Sequence, residues 1–221
     1  TSRATLTHTH PPLGIETVKV ENEEVAVTEE VALSLPFGDL LHFRKDIDAP
    51  QPRVLVVAPL SGHFATLLSD TVRTMLQDHD VYITDWKNAR DVPLGQGRFG
   101  FEDYVDYLID MLEHLGPGAH VVAVCQPCVQ AVVATAVMSE DKNPATPASL
   151  TLMAGPIDCR INPTTVNDLA TENSLDWFKQ NMIQTVPFPL PGWGRRVYPG
   201  FVEVSAFMSV NPQRHIDAHK N

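Results

Sequence analysis

A regular alternation of short apolar runs and longer amphipathic stretches, between residues 54 and 154, constrains the fold of this chain most strongly. Continuous apolar runs predict strands that are buried on both faces, at 54–58, 81–84, 120–124 and 150–154. Apolar residues at helical spacing predict helices between these strands, at 64–76, 104–115 and 129–138. This order of elements predicts right-handed crossovers and a mostly parallel, doubly wound α/β sheet.

The segments on either side of this part have different patterns. Residues 14 to 53 alternate apolar and polar side chains, which predicts an antiparallel edge hairpin at the N-terminal side of the sheet and a further strand near 40–43. Residues 1–13 are rich in Thr, His and Pro and predict a flexible leader. Beyond residue 160 the pattern weakens, with short helices expected at 163–170 and 174–181. The predicted organisation is a leader, an α/β core over 14–160 and a cap-like or irregular helical segment over 161–221.

The composition argues against several classes of partner. The chain has 221 residues, is 43% hydrophobic and carries a formal net charge of -11. Such an acidic surface repels the phosphates of nucleic acids and has no general attraction to anionic membranes. The longest apolar stretch, Val121–Met138, is interrupted by polar residues and makes a poor membrane span. Three cysteines make a poor disulfide framework, so the expected location is a reducing cytoplasm.

Cys125 lies where the third buried strand turns into a helix. A nucleophile at such a junction is the elbow of α/β-hydrolases, and it lies at the carboxyl edge of the sheet, where ligands bind. Ala123 is small, as the elbow requires, and Pro127 replaces the usual Gly but is tolerated in a first helical turn. A helix N-terminus stabilises a thiolate. The expected oxyanion hole combines the backbone N–H of Gln126 with one from the loop of Leu60, Ser61, Gly62 and His63.

Three other interpretations of Cys125 remain open at this point. Cys125 and Cys128 form a C-x-P-C motif at a strand–helix junction, which is typical of thioredoxin-like redox sites, although such a motif comes earlier in those domains. A metal site would need more ligands than Cys159 can add, so no metal is predicted. A buried cysteine that packs as a small apolar residue is the third interpretation.

Several longer strings carry a family resemblance and run in order from about residue 14 to the end. They are Glu29–Leu33, Leu41–Phe43, Val57–His63, Asp80–Trp86, His120–Pro127, Gly155–Asp158, Arg195–Phe201 and Asn211–His215. The match is specific, because several of these strings are long and unusual. On these residues the chain resembles the intracellular poly(3-hydroxybutyrate) depolymerases, a cysteine-nucleophile branch of the α/β-hydrolase fold.

This resemblance implies a function and a set of site residues. It implies that Cys125 attacks the ester carbonyl of a 3-hydroxybutyrate polymer and forms an acyl-enzyme. Leu60, His63, Asp85 and Trp86 would line the site, and no cofactor is implied. The implied partner is the polymer, its oligomers or the surface of a cytoplasmic polymer granule. Whether the chain forms a homo-oligomer is left open.

The sequence also departs from the family. Family members are longer, and their catalytic Asp and His follow the nucleophile on later strands. The chain ends at Asn221, inside what would be the cap, so the resemblance implies an N-terminal portion with an α/β core that lacks its last strands. His215, near Asp217 and His219, and His63 are the substitute candidates for the base. The alternative functions are a catalytically incomplete polymer-binding domain, a half-domain that needs a second chain, and a polyhydroxyalkanoate synthase-like acyltransferase.

Overall fold

The computed structural model of the chain describes residues 12–47, 50–60 and 65–200. The strands are β1 (Thr17–Val20), β2 (Glu23–Leu35), β3 (Gly38–Lys45), β4 (Arg53–Val57), β5 (Asp80–Trp86), β6 (His120–Val124), β7 (Ser149–Met153), β8 (Gln184–Thr185) and β9 (Arg196–Val197). The helices are α1 (Ser69–Met75), α2 (Phe101–Leu115), α3 (Cys128–Glu140), α4 (Thr165–Glu172) and α5 (Leu175–Asn181). Short 3₁₀ turns at Ala65–Leu68, Ala89–Asp91 and Leu94–Gln96 lie in the connections. Every strand and helix predicted from the periodic patterns is present.

Seven of the described strands form one mixed sheet in the order β1-β2-β3-β5-β4-β6-β7. The strands β4, β5, β6 and β7 are parallel to one another. The strands β1, β2 and β3 form an antiparallel meander, and β3 joins β5 in antiparallel register. The predicted α/β sheet with an antiparallel N-terminal edge is therefore confirmed.

Side chains of the central strands alternate between two separate cores. Leu55 and Val57 of β4 pack on the face of the sheet that α2 and α3 cover. Val54 and Val56 pack on the opposite face, against α1. Successive side chains of a strand point to opposite faces, so a strand covered on both sides must be apolar throughout. Helices on both faces confirm the prediction of a doubly wound sheet.

The helix α2 has clear signals at both ends. At its start, the backbone N–H of Gly100 donates to the carboxylate of Asp103 at 2.7 Å, as in a capping box. At its end, Gly116 has a φ of 77°, a left-handed value that favours glycine. The guanidinium of Arg53 donates to the carbonyls of Leu115 and Pro117, which ties this helix end to β4. The chain then enters β6, which leads directly to the Cys125 turn.

The segment after β7 is less regular. The predicted short helices are present as α4 and α5. The hairpin of β8 and β9 was not predicted, because two-residue strands on either side of a proline-rich stretch have no periodicity. The carboxylate of Asp158 binds Arg160 at 2.8 Å, and the cap of α4 is Thr164.

The proposed domain boundaries are only partly covered by the described residues. Residues 1–11 of the predicted leader and residues 201–221 of the predicted cap lie outside them. Leu13 is already buried against the α1 face of the sheet. Packed structure therefore begins no later than Leu13.

A candidate active site at the carboxyl edge of the sheet

Cys125 occupies a tight turn between β6, which ends at Val124, and α3, which begins at Cys128. Its φ is 68°, in the left-handed region that non-glycine residues rarely adopt. Such a conformation costs about 1–3 kcal/mol and persists only where the surroundings hold it. The backbone N–H of Cys125 donates to the Met153 carbonyl at 2.8 Å, and its carbonyl accepts from the N–H of Cys128 at 3.1 Å. Its side chain is half-buried.

Gly155 makes room for this turn. A Cβ atom at position 155 would lie 2.1 Å from Cys128 Cβ and 3.1 Å from the Cys125 carbonyl oxygen. Only glycine therefore fits without movement of the turn. Gly155 belongs to one of the strings that carry the family resemblance, but its contact with the turn was not predicted from the sequence. A glycine directly after a predicted strand was the available signal, since it marks a close approach of two backbones.

Cys128 lies beneath the turn and is completely buried. Its Sγ is 3.2 Å from the Ala123 carbonyl oxygen and 3.7 Å from the Met153 carbonyl oxygen, so the thiol bridges the ends of β6 and β7. Burial raises the pKa of the Cys128 thiol. A neutral, hydrogen-bonded thiol in this position supports the turn from below.

Three side chains hold the backbone just after the neighbouring strand β4. The N–H of Ala58 donates to Thr84 Oγ1 at 2.9 Å, and its carbonyl accepts from Trp86 Nε1 at 2.8 Å and from the Tyr104 hydroxyl at 3.3 Å. These bonds fix the backbone two residues before Leu60. Leu60 is exposed there. Ser61, Gly62 and His63, which were predicted beside the oxyanion hole, lie outside the described residues.

Asp85 and Trp86 line a cavity of about 790 Å³ at the same edge of the sheet. Its wall also includes Asp39 and Lys87, which form an ion pair at 2.7 Å, and Asn88. The indole of Trp86 is mostly buried in the core. Asp85 and Trp86 thus lie at the end of β5, opposite the start of β3, whereas Cys125 follows β6 and does not line this cavity.

The histidines of the described part of the chain lie away from Cys125. His120 begins β6, so roughly 16 Å of strand separates it from the turn. His79 directly precedes β5, and His114 lies near the end of α2, before β6. His42 pairs with Tyr82 in the register of β3 and β5, near the start of β5. The candidate bases His63 and His215 lie outside the described residues.

In residues 12–47, 50–60 and 65–200, no group of three or more His, Cys, Asp or Glu side chains could hold a metal ion. In the same ranges, no helix has the length and apolar character needed to cross a membrane.

The strand order, with one antiparallel strand next to β5 and a strand–turn–helix junction after β6, defines an α/β-hydrolase fold. The family model described as PHB de-polymerase C-terminus matches residues 154–221. This match contains three of the strings that carried the resemblance: Gly155–Asp158, Arg195–Phe201 and Asn211–His215. The resemblance to polyhydroxybutyrate depolymerases is therefore confirmed, on residues that follow the Cys125 turn.

Solved structures with similarity to the chain include esterases and a phospholipase. Naproxen esterase from Bacillus subtilis is 15% identical, with a TM-score of 0.45, and the match covers 81% of this chain and 59% of that one. A hyperthermophilic esterase from Pyrobaculum calidifontis is 13% identical, with a TM-score of 0.45 and coverage of 63% and 47%. A membrane phospholipase A described as a bacterial virulence factor is 11% identical, with a TM-score of 0.48 and coverage of 83% and 59%. The chain thus spans about half the length of the solved structures that it matches, and no curated protein matches its sequence.

Proposed function

We propose that this chain belongs to an ester hydrolase in which Cys125 is the nucleophile. The observation that carries the proposal is the left-handed turn at Cys125, which places a half-buried thiol between β6 and α3 at the carboxyl edge of the sheet. A strained strand-to-helix turn of this kind presents a nucleophile to a ligand above the sheet. The buried Cys128 and the glycine at 155 hold that turn in place.

The proposed reaction has two steps. The Cys125 sulfur bonds to the ester carbonyl carbon, the bond from that carbon to the alcohol oxygen breaks, and the alcohol leaves with a proton. Water then attacks the thioester, releases the carboxylic acid and restores the thiol. The N–H of Gln126, two residues before α3 begins, and an N–H from the loop of Ser61 and Gly62 would stabilise the oxyanion.

The base that takes the thiol proton is proposed to be His63 or His215, or a histidine from further polypeptide. The four described histidines lie toward the starts of the parallel strands or on β3, so they are poorly placed for this role. The proposed substrate is a 3-hydroxybutyrate polyester or its oligomers, supported by the family match over 154–221. The proposed location is the cytoplasm, on polymer granules.

A second candidate is a half-domain that needs another chain for turnover. The strand β7 favours it, because Leu152 and Met153 are 38% and 45% exposed at the edge of the described sheet. Such a chain would acylate Cys125 but would not hydrolyse the thioester.

A burst experiment separates these candidates. With p-nitrophenyl butyrate, a complete hydrolase gives continuous release of p-nitrophenol. A half-domain gives a burst of about one equivalent per chain and a butyryl adduct on the Cys125 peptide, detected by mass spectrometry. Cys125→Ala should abolish both signals.

The matched control is Cys159→Ala, because Cys159 is an exposed thiol outside the turn. This variant should behave as wild type, and iodoacetamide should still inactivate it. If wild type releases no p-nitrophenol and forms no adduct, the proposal is contradicted. Equal activity of Cys125→Ala and wild type would contradict it as well. Insulin reduction that depends on both Cys125 and Cys128 would favour a redox function instead.

A further inference from the structure

The hairpin of β8 and β9 carries an exposed group of apolar residues. Its tip, Pro187–Trp193, is called the aromatic tip below. Phe188 is 76% exposed and Trp193 is 60% exposed, and their rings meet edge to face with centroids 5.9 Å apart. Single exposed apolar side chains are common, but a contiguous group of them indicates an interaction surface.

Backbone hydrogen bonds hold the aromatic tip together and attach it to the core. The N–H of Val186 donates to the Arg195 carbonyl at 2.8 Å, and the N–H of Trp193 donates to the Leu190 carbonyl at 2.9 Å. The N–H of Gly192 donates to the Arg90 carbonyl at 2.8 Å, which attaches the tip to the loop after β5. A backbone that is already ordered loses little entropy when it binds a surface.

Arg195 anchors the hairpin, and its charged side chain is buried. Its guanidinium donates to the carbonyls of Gly97 at 2.6 Å, Pro93 at 2.9 Å and Val92 at 3.2 Å. It also lies over the ring of Phe37, 4.8 Å from the centroid. Because residues 186–194 contain no charged side chain, the aromatic tip presents an uncharged surface.

We infer that the aromatic tip docks on the uncharged, apolar surface of a solid polyester. This inference rests on the proposed polyester substrate and adds the surface that would hold the chain on it. The charge distribution selects this occupant: a formal charge of -11 opposes approach to an anionic lipid surface, whereas a neutral polyester exerts no such repulsion. Arg196 is one exposed cation at the base of the hairpin, far fewer than the basic cluster that anionic lipids attract.

Sedimentation with poly(3-hydroxybutyrate) particles tests the inference. The double variant F188A/W193A should lower the affinity of the chain for the particles roughly tenfold or more, since the apolar rings supply most of the buried area. The matched control is Leu175→Ala, which truncates a side chain that is 69% exposed on α5, and its affinity should stay at the wild-type value. Circular dichroism melting should show unchanged folding of all three proteins.

Parallel measurements distinguish a polyester surface from the other possible binding partners of the aromatic tip. Equal sedimentation of wild type and F188A/W193A with the particles would overturn the inference. The inference would also be overturned if wild type bound phosphatidylcholine vesicles but not the polyester particles. A dimer of wild type that F188A/W193A converts to monomer, with particle binding unchanged, would identify a second copy as the occupant and overturn it too.

The soluble ester assay keeps this inference separate from the proposed hydrolase function. The double variant should cleave p-nitrophenyl butyrate at the wild-type rate, because the aromatic tip is not part of the Cys125 turn. If wild type releases no p-nitrophenol from this ester and forms no adduct, yet its particle binding depends on Phe188 and Trp193, the hydrolase proposal fails and the docking surface stands.

Discussion

Gly155 is the residue on which the geometry of the Cys125 turn most depends. Substitution Gly155→Ala would place a methyl group 2.1 Å from Cys128 Cβ, so the turn or β7 must move. We expect the free energy of unfolding, measured by urea denaturation, to fall by about 1–3 kcal/mol, as overpacking of a buried site typically does. The acylation rate of Cys125 should fall as well.

Gly95→Ala is the matched control for this substitution, because a Cβ at position 95 meets nothing within 4 Å. That variant should retain both the stability and the acylation rate of wild type. Equal stabilities of Gly155→Ala and Gly95→Ala would show that the turn adapts without loss.

At this scale the sequence predicted the place of Cys125, but not what supports it. Cys125 follows an apolar run that is contiguous in the chain, so a local pattern was sufficient to find it. The residues that hold the turn lie elsewhere in the sequence. The Met153 carbonyl accepts from the N–H of Cys125, and Gly155 leaves space for Cys128. These contacts join positions that are distant in sequence, and no periodic pattern encodes them. The acid and the base stay predictions.

At the scale of elements, a histidine links three strands of the antiparallel edge. His42 of β3 binds the carboxylates of Glu30 on β2 at 3.0 Å and of Asp80 on β5 at 2.7 Å. Its ring stacks on Tyr82, with centroids 4.2 Å apart. Burial lowers the pKa of His42, but the hydrogen bonds with Asp80 and Glu30 outweigh burial, and the pKa is raised above 6.5.

This linkage predicts a pH dependence of stability. Because the folded pKa is raised, protonated His42 contributes stability that is fully present below the unfolded pKa of about 6.5 and is lost as pH rises through the folded pKa. The free energy of unfolding of wild type should therefore exceed that of His42→Gln most strongly at acidic pH. The difference should shrink as the pH becomes alkaline. Urea denaturation of both proteins across this range measures it.

Asp80→Asn removes one of the two carboxylates that favour the protonated ring. In that background the pH dependence assigned to His42 should be weaker. A difference between wild type and His42→Gln that is constant with pH would contradict the assignment.

Strands and helices were predictable where burial imposes a regular spacing of apolar residues. The strand β4 is apolar throughout because both of its faces are covered, and α2 repeats apolar residues along the stripe that packs on the sheet. The hairpin of β8 and β9 has no such stripe. Its position depends on Arg195 and Gly192, which bind backbone carbonyls near residue 90. Contacts of a side chain with distant backbone leave no local signature.

At the scale of the whole molecule, the sheet is buried unevenly. Val54 to Val57 of β4 are completely or almost completely buried. In β7, by contrast, four of the five positions, Ser149 and Thr151–Met153, are exposed. The strands β4 and β6 also pair on both sides, whereas β7 pairs with β6 and is the edge of the described sheet. Cys125 and Met153, which are hydrogen-bonded, thus lie at the boundary between a deeply packed region and an exposed one.

This asymmetry predicts the order in which backbone amides exchange with solvent. Local opening requires less free energy where fewer apolar contacts are lost, so amides in Ser149–Met153 should exchange faster than those in Arg53–Val57. Hydrogen–deuterium exchange with mass spectrometry on peptides that contain these strands measures the difference. Equal protection of both strands at low protein concentration would show that other polypeptide of the same chain covers β7. Protection of β7 that grows with protein concentration would show that a second copy covers it, and the Cys125 turn would then be stabilised by association.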